Sequence, residues 1–111
     1  MNLNERPFSM IEKGLKTVEL RLLDEKRKLV SVGDTLIFTK ANDEKATITC
    51  VVKKLHIFES FEELYRTLPL DKCGYLPEEL DKAAAADMEI YYPVEKQRRY
   101  GVIGIEIALI K

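Results

Sequence analysis

The sequence predicts an α+β fold, a small β-barrel or strongly curved sheet with helices packed beside it. Three observations carry this. Few strand-like runs are present, in the order helix, strand, strand, strand, two helices, strand. One of these runs, KATITCVVKKLHIF, is long and loses its apolar parity near Val51 and Val52, which calls for a bulge or a sharp coil of the kind curved sheets need. The last run, YGVIGIEIALI, is apolar on both sides, as a strand covered on both faces would be.

Taken in order, Asn4 to Gly14 reads as a first helix, with Pro7 in its first turn and Gly14 as its stop. KTVELRLL alternates, so Val18, Leu20 and Leu22 face one way while Thr17, Glu19 and Arg21 face the other. After the charged stretch DEKRK and a turn at Gly33 and Asp34, TLIFTK and the long run form a hairpin across the turn ANDE. Ser60 and Glu63 form a capping box that opens a helix ending at Pro69. Pro77 starts a further helix whose apolar face is Leu80, Ala84, Met88 and Tyr91, and Pro93 stops or breaks it.

At 111 residues the chain reads as one domain, residues 1–111, large enough for its own core. Hydrophobic residues at 46% and charged residues at 33% place it among globular domains and outside the composition of disordered chains. A net charge of −1 gives no long-range attraction to nucleic acid, so any such role needs a local patch. Two cysteines, no apolar leader and no run of about 20 apolar residues point to a cytoplasmic protein without a membrane segment. One histidine and two distant cysteines do not make up a zinc ligand set, and no glycine-rich phosphate loop is present, so neither metal nor cofactor is predicted.

Two constellations could carry chemistry. Glu19 and Arg21, two apart on a strand, share a face; Lys16 has the opposite parity and can join them only from the turn before the pleat begins. A carboxylate flanked by two cations can grip a phosphate beside a hydrogen-bond acceptor, or tune the lysine for base or nucleophile work. The alternative is an exposed surface pair worth ~0.5 kcal/mol. The second constellation is MEIYYPVEKQRRYG, where Tyr91, Tyr92 and Tyr100 bracket Lys96, Arg98 and Arg99. Aromatic rings among cations suit single-stranded nucleic acid, which needs stacking and phosphate contacts. The alternative is that Tyr91 packs in the core and the cations are solvated. Lys26, Arg27 and Lys28 belong to a solvated loop unless it folds over a cleft, His56 reads as a packed or edge residue, and Cys50 and Cys73 read as inert.

Gly14, Lys16, Glu19 and Arg21 resemble the GxKxxExR motif of the ASCH domain family, in the PUA-like superfamily; VGDTLIF, DMEIYYPVEKQRRYG and YGVIGIEI resemble that family in the same order. The resemblance implies a small PUA-like β-barrel with helices beside it and a cleft into which the motif residues project. It implies binding of RNA or a nucleoside, for which Lys16, Glu19 and Arg21 of the motif are the candidate contacts; Tyr92, Lys96, Arg98, Arg99 and Tyr100 of the second constellation are further candidates on their own chemistry. It also implies an alternative, a small hydrolase, either an amidohydrolase on acylated cytidine or a ribonuclease, for which Lys16 and Glu19 are this sequence's own candidate acid/base pair. In the amidohydrolase members the resemblance implies a lysine, a threonine and a later glutamate. Lys16 matches the first, Glu19 stands where the threonine would be, and Glu78, Glu79 and Glu89 are the candidates for the third.

Overall fold

The computed structural model describes residues 1–110. Five strands form one sheet: β1 (Asn2–Leu3), β2 (Val18–Leu22), β3 (Thr35–Lys40), β4 (Asp43–Phe58) and β5 (Val102–Leu109), in the order β1-β3-β4-β5-β2. Three α-helices accompany it: α1 (Glu5–Glu12), α2 (Phe61–Thr67) and α3 (Val94–Tyr100).

The curvature originates in β4. Its first half pairs antiparallel with β3, as the hairpin reading expects, and its second half pairs antiparallel with β5. The register shifts between Val52 and Lys54, close to where the apolar parity slips in the sequence. A 16-residue strand that changes partner across a bulge bends the sheet on itself into a half-barrel. The open seam then lies between β2 and β1, the first and last strands of the order.

Cross-strand register explains why β2 and β5 are buried on both faces. Glu19 and Arg21 pair with Ile105 and Ile103, and Leu20 and Leu22 pair with Gly104 and Val102. Ile103, Ile105 and Ile107 join Phe38, Cys50 and Val52 in a core covered by Phe8 and Ile11 of α1. Val18, Leu20, Leu22 and Val102 face the other way, under Phe61 and Leu64 of α2. A side chain at Gly104 would come within 2.8 Å of Leu68 and 3.2 Å of Val18, so the close seating of α2 on the sheet depends on that glycine. The Ser60 hydroxyl accepts from the Glu63 amide at 3.3 Å, opening α2 as the capping pattern predicts.

Two expectations are corrected. No helix runs from Pro77; two 3₁₀ segments, Pro77–Lys82 and Ala85–Ile90, take its place. Acidic side chains restart the backbone there: Glu79 accepts from the Leu76 amide at 2.8 Å and Asp87 from the Ala84 amide at 3.2 Å, and Ala83 and Ala84 between them are extended. Tyr91 is therefore 61% exposed and does not pack in the core. The preceding segment ends at Ile90, short of Pro93, which then caps an unexpected helix, α3, its fixed φ suiting a helix N-terminus. The short β1, parallel to β3, was not expected either.

Candidate functional site

The local chain path sets the position of each motif residue. Gly14, at φ +77°, turns the chain out of α1, and the Leu15 and Lys16 amides both donate to the Met10 carbonyl. The Thr17 amide donates to the Lys72 carbonyl, and the Thr17 carbonyl accepts from Ile107. Lys16 thus precedes the pleat of β2 and escapes its parity, which is the condition for it to meet Glu19.

The three charged side chains form one buried cluster. Lys16 Nζ donates to Glu19 Oε1 at 2.7 Å, and Arg21 Nε donates to Glu19 Oε2 at 2.9 Å. Glu19 is 3% exposed, which excludes the surface-pair alternative. Burial alone would raise its pKa, but the Lys16 and Arg21 charges and their hydrogen bonds outweigh it and hold the carboxyl below its ordinary value. Glu19 in turn raises Arg21 against the effect of burial. Arg21 Nη2 also donates to the Asn2 carbonyl at 2.9 Å, so one guanidinium spans the seam from β2 to β1.

This cluster opens into a cavity of about 520 Å³, in the range of small-molecule sites. Lys16, Glu19 and Arg21 form one wall, together with Asn2 and Arg6 at the start of the chain. The facing wall comes from residues 65–92: Tyr65, Cys73, Gly74, Tyr75, Glu79, Asp87, Tyr91 and Tyr92. Gly74, at φ +111°, lies against the Lys16 side chain; a Cβ there would meet Lys16 Cδ at 3.4 Å. Tyr92 stacks on Phe61 with ring centroids 5.9 Å apart, and its phenol stands close enough to Arg21 to favour the guanidinium charge. Buried Gln97 of α3 fixes this arrangement, accepting from the Phe61 amide at 3.2 Å and donating to the Tyr92 carbonyl at 2.9 Å.

Of the residues selected from sequence, Lys16, Glu19, Arg21 and Tyr92 meet in this cavity. Lys96, Arg98, Arg99 and Tyr100 do not line it; they sit on α3, and Tyr100 packs on the α2 side of the core with Arg99 over its ring at 5.1 Å. Lys26, Arg27 and Lys28 do not reach it, and Arg27 pairs with Asp24 at 2.9 Å. Among the glutamates considered, Glu79 lines the cavity and is paired with Arg6, whereas Glu78 and Glu89 do not line it. Cys73 is buried, and burial pushes its thiol up to about 11. His56 lies in β4, 3.1 Å from Glu106.

Sequence reasoning missed a set of hydrogen-bonded residues. The Tyr75 hydroxyl donates to Asp87 Oδ2 at 2.7 Å, and the Tyr65 and Tyr75 hydroxyls are 2.7 Å apart. Burial raises both phenols, Tyr65 to about 12. Their separations of 10 and 12 residues follow no period of helix or strand, so only the folded turns bring them together. Among the described residues, no three His, Cys, Asp or Glu side chains gather as metal ligands, and no helix is long and apolar enough to cross a membrane.

Residues 1–111 match the family model of the ASCH domain. The chain belongs to the ASCH domain family. This ASCH domain shares its fold with the crystal structure of "hypothetical protein PH0355", at 26% identity and a TM-score of 0.82 over 99% of this chain and 96% of that one. The solution structure of Protein PF0455 from Pyrococcus furiosus superimposes with a TM-score of 0.70 at 24% identity, covering 100% of this chain and 99% of that one. No curated protein matches the chain.

Proposed function

We propose that this ASCH domain binds single-stranded RNA or a nucleoside in the cavity between the two walls. The observation that carries this is the buried Lys16–Glu19–Arg21 cluster opening onto a tyrosine-lined space of about 520 Å³. Lys16 and Arg21 donate to oxygen or ring-nitrogen acceptors of the ligand, and Glu19 holds both cations in place and keeps them from collapsing onto other acceptors. Tyr91, exposed at the rim, and Tyr92 supply ring surfaces for a base, and Lys96, Arg98 and Arg99 on α3 are available to an adjoining backbone. Membership of a family that generally binds RNA supports the same reading.

Lys16→Ala and Arg21→Ala should each weaken binding of a short single-stranded RNA by about tenfold or more. Lys45→Ala, on an exposed part of β4, should leave it unchanged. Equal affinity of all four proteins would overturn the proposal.

The alternative, a small hydrolase acting on acylated cytidine or on RNA, rests on the Lys16–Glu19 contact. Two features weigh against it. A carboxylate held below its ordinary pKa between two cations is a weak base, and the nearest thiol, Cys73, is mostly protonated at neutral pH. Incubation with acylated cytidine is expected to release no acyl group; release that Glu19→Gln abolishes would restore this reading.

A further inference from the structure

The two walls of the cavity differ in what they offer a ligand. On the motif wall Lys16 and Arg21 are donors, carrying one positive charge beyond what Glu19 neutralises. On the facing wall Glu79 is already matched by Arg6, which leaves Asp87 as the carboxylate without a cation. The three lining cations and three lining carboxylates therefore cancel, and what remains unpaired is one positive charge at the motif cluster and the negative charge of Asp87 on the other wall.

Proton direction sharpens the difference. Each phenol has a single proton. Tyr75 gives its proton to Asp87 Oδ2, so Tyr65 must give its own to Tyr75. Tyr65 Oη then has only lone pairs left. Asp87 Oδ1 has no partner among the described residues, and it too can only accept. The wall opposite the motif is thus an acceptor surface bearing a negative charge.

Phosphate oxygens at neutral pH are acceptors and carry negative charge, so they meet repulsion at this wall and gain no hydrogen bond there. The N–H groups of a heterocyclic base meet the reverse. We propose that the cavity selects an uncharged nucleobase or nucleoside over its phosphorylated forms, and that Tyr65, Tyr75 and Asp87 do the selecting by accepting hydrogen bonds only. The proposal rests on the reading of the site given above and narrows it: of an RNA strand, one unstacked base enters and the backbone stays outside.

The test is calorimetric binding of the four ribonucleosides and their 5′-monophosphates to the whole chain. The tightest nucleoside should bind at least about tenfold better than its monophosphate, a ratio that one like-charge contact accounts for. Its affinity should also hold steady from about 50 to about 500 mM salt, because no phosphate is neutralised. Asp87→Asn keeps an oxygen for the Ala84 amide and Tyr75 and places an amide donor where Oδ1 stood, so the ratio should fall towards one. Tyr65→Phe removes an acceptor without changing charge; it should weaken the nucleoside several-fold and leave the ratio in place. Circular dichroism melts confirm that each variant is folded. A wild-type protein that prefers the monophosphate, or a folded Asp87→Asn that keeps the full ratio, overturns this proposal alone. A wild-type protein that binds neither nucleosides nor single-stranded RNA overturns the reading of the site, and this proposal with it.

Discussion

The two walls of the cavity are held together by different physics. The motif wall is a strand and the turn before it, locked by backbone ladders to β5 and by a buried ion cluster. The facing wall is a succession of short 3₁₀ turns, and its shape depends on side-chain hydrogen bonds: Glu79 to Leu76, Asp87 to Ala84, Tyr75 to Asp87. The first wall is held by its centre, because removing Glu19 strands two buried cations. The second yields more easily, because its bonds are part-buried or exposed and water can replace them.

The strongest way to break this contrast is to remove the centre of the ion cluster. Glu19→Ala leaves two buried cations unpaired and should cost about 3–5 kcal/mol in denaturant unfolding. The same cluster sets an acid limb. Because the folded carboxyl of Glu19 is depressed, its contribution is fully present above the ordinary value of 4.5 and is lost as pH falls through the folded value. Stability of the parent should therefore drop below about pH 4.5, and Glu19→Gln should flatten that limb. A limb of equal slope in the variant would show that Glu19 is not the group responsible.

A second variant probes where the walls touch. Gly74→Ala forces a side chain into φ +111° and brings a methyl against Lys16, at an expected cost of about 2 kcal/mol. The methyl meets Lys16 at an ordinary contact distance, 3.4 Å, so the cost is backbone strain, and ligand affinity should fall as far as that strain displaces the Lys16 side chain packed on it. Were the loss in stability to leave affinity unchanged, the walls would not be coupled through Lys16.

Changes confined to the facing wall should be smaller. Tyr75→Phe is expected to cost about 1 kcal/mol while speeding amide exchange across 75–92 and leaving β2 and β5 protected. Arg6→Ala removes an exposed partner of Glu79; it should leave the melting temperature nearly unchanged and loosen only the turn at Pro77–Lys82. Exchange spreading into β2 in either variant would mean that the walls unfold as one unit.

The same contrast explains what could be read from sequence. β2, the β3–β4 hairpin, the bulge and β5 announce themselves because a sheet imposes a two-residue period that each residue must obey. Lys16 was legible for a related reason: its parity excludes it from the strand, and Gly14 supplies the turn that lets it rejoin. The segment 77–92 misled because Leu80, Ala84, Met88 and Tyr91 satisfy helical spacing, while the capping by Glu79 and Asp87 that overrides it depends on side-chain rotamers. Tyr65, Tyr75 and Asp87 left no trace at all, since only the folded path of the chain brings together residues 10 and 12 positions apart. Tyr100 and the α3 cations drew attention through composition, which records what residues are present and not which way a helix turns them.

Arg21 also serves the sheet itself. A half-barrel leaves two strands with unpaired backbone groups, and such edges recruit strands from other molecules. By reaching across to the Asn2 carbonyl, Arg21 ties one exposed edge to the other and leaves less room for a foreign strand to enter the seam. Variants at this position should therefore betray themselves in the test tube first by self-association on storage or concentration, before any loss of ligand is measured.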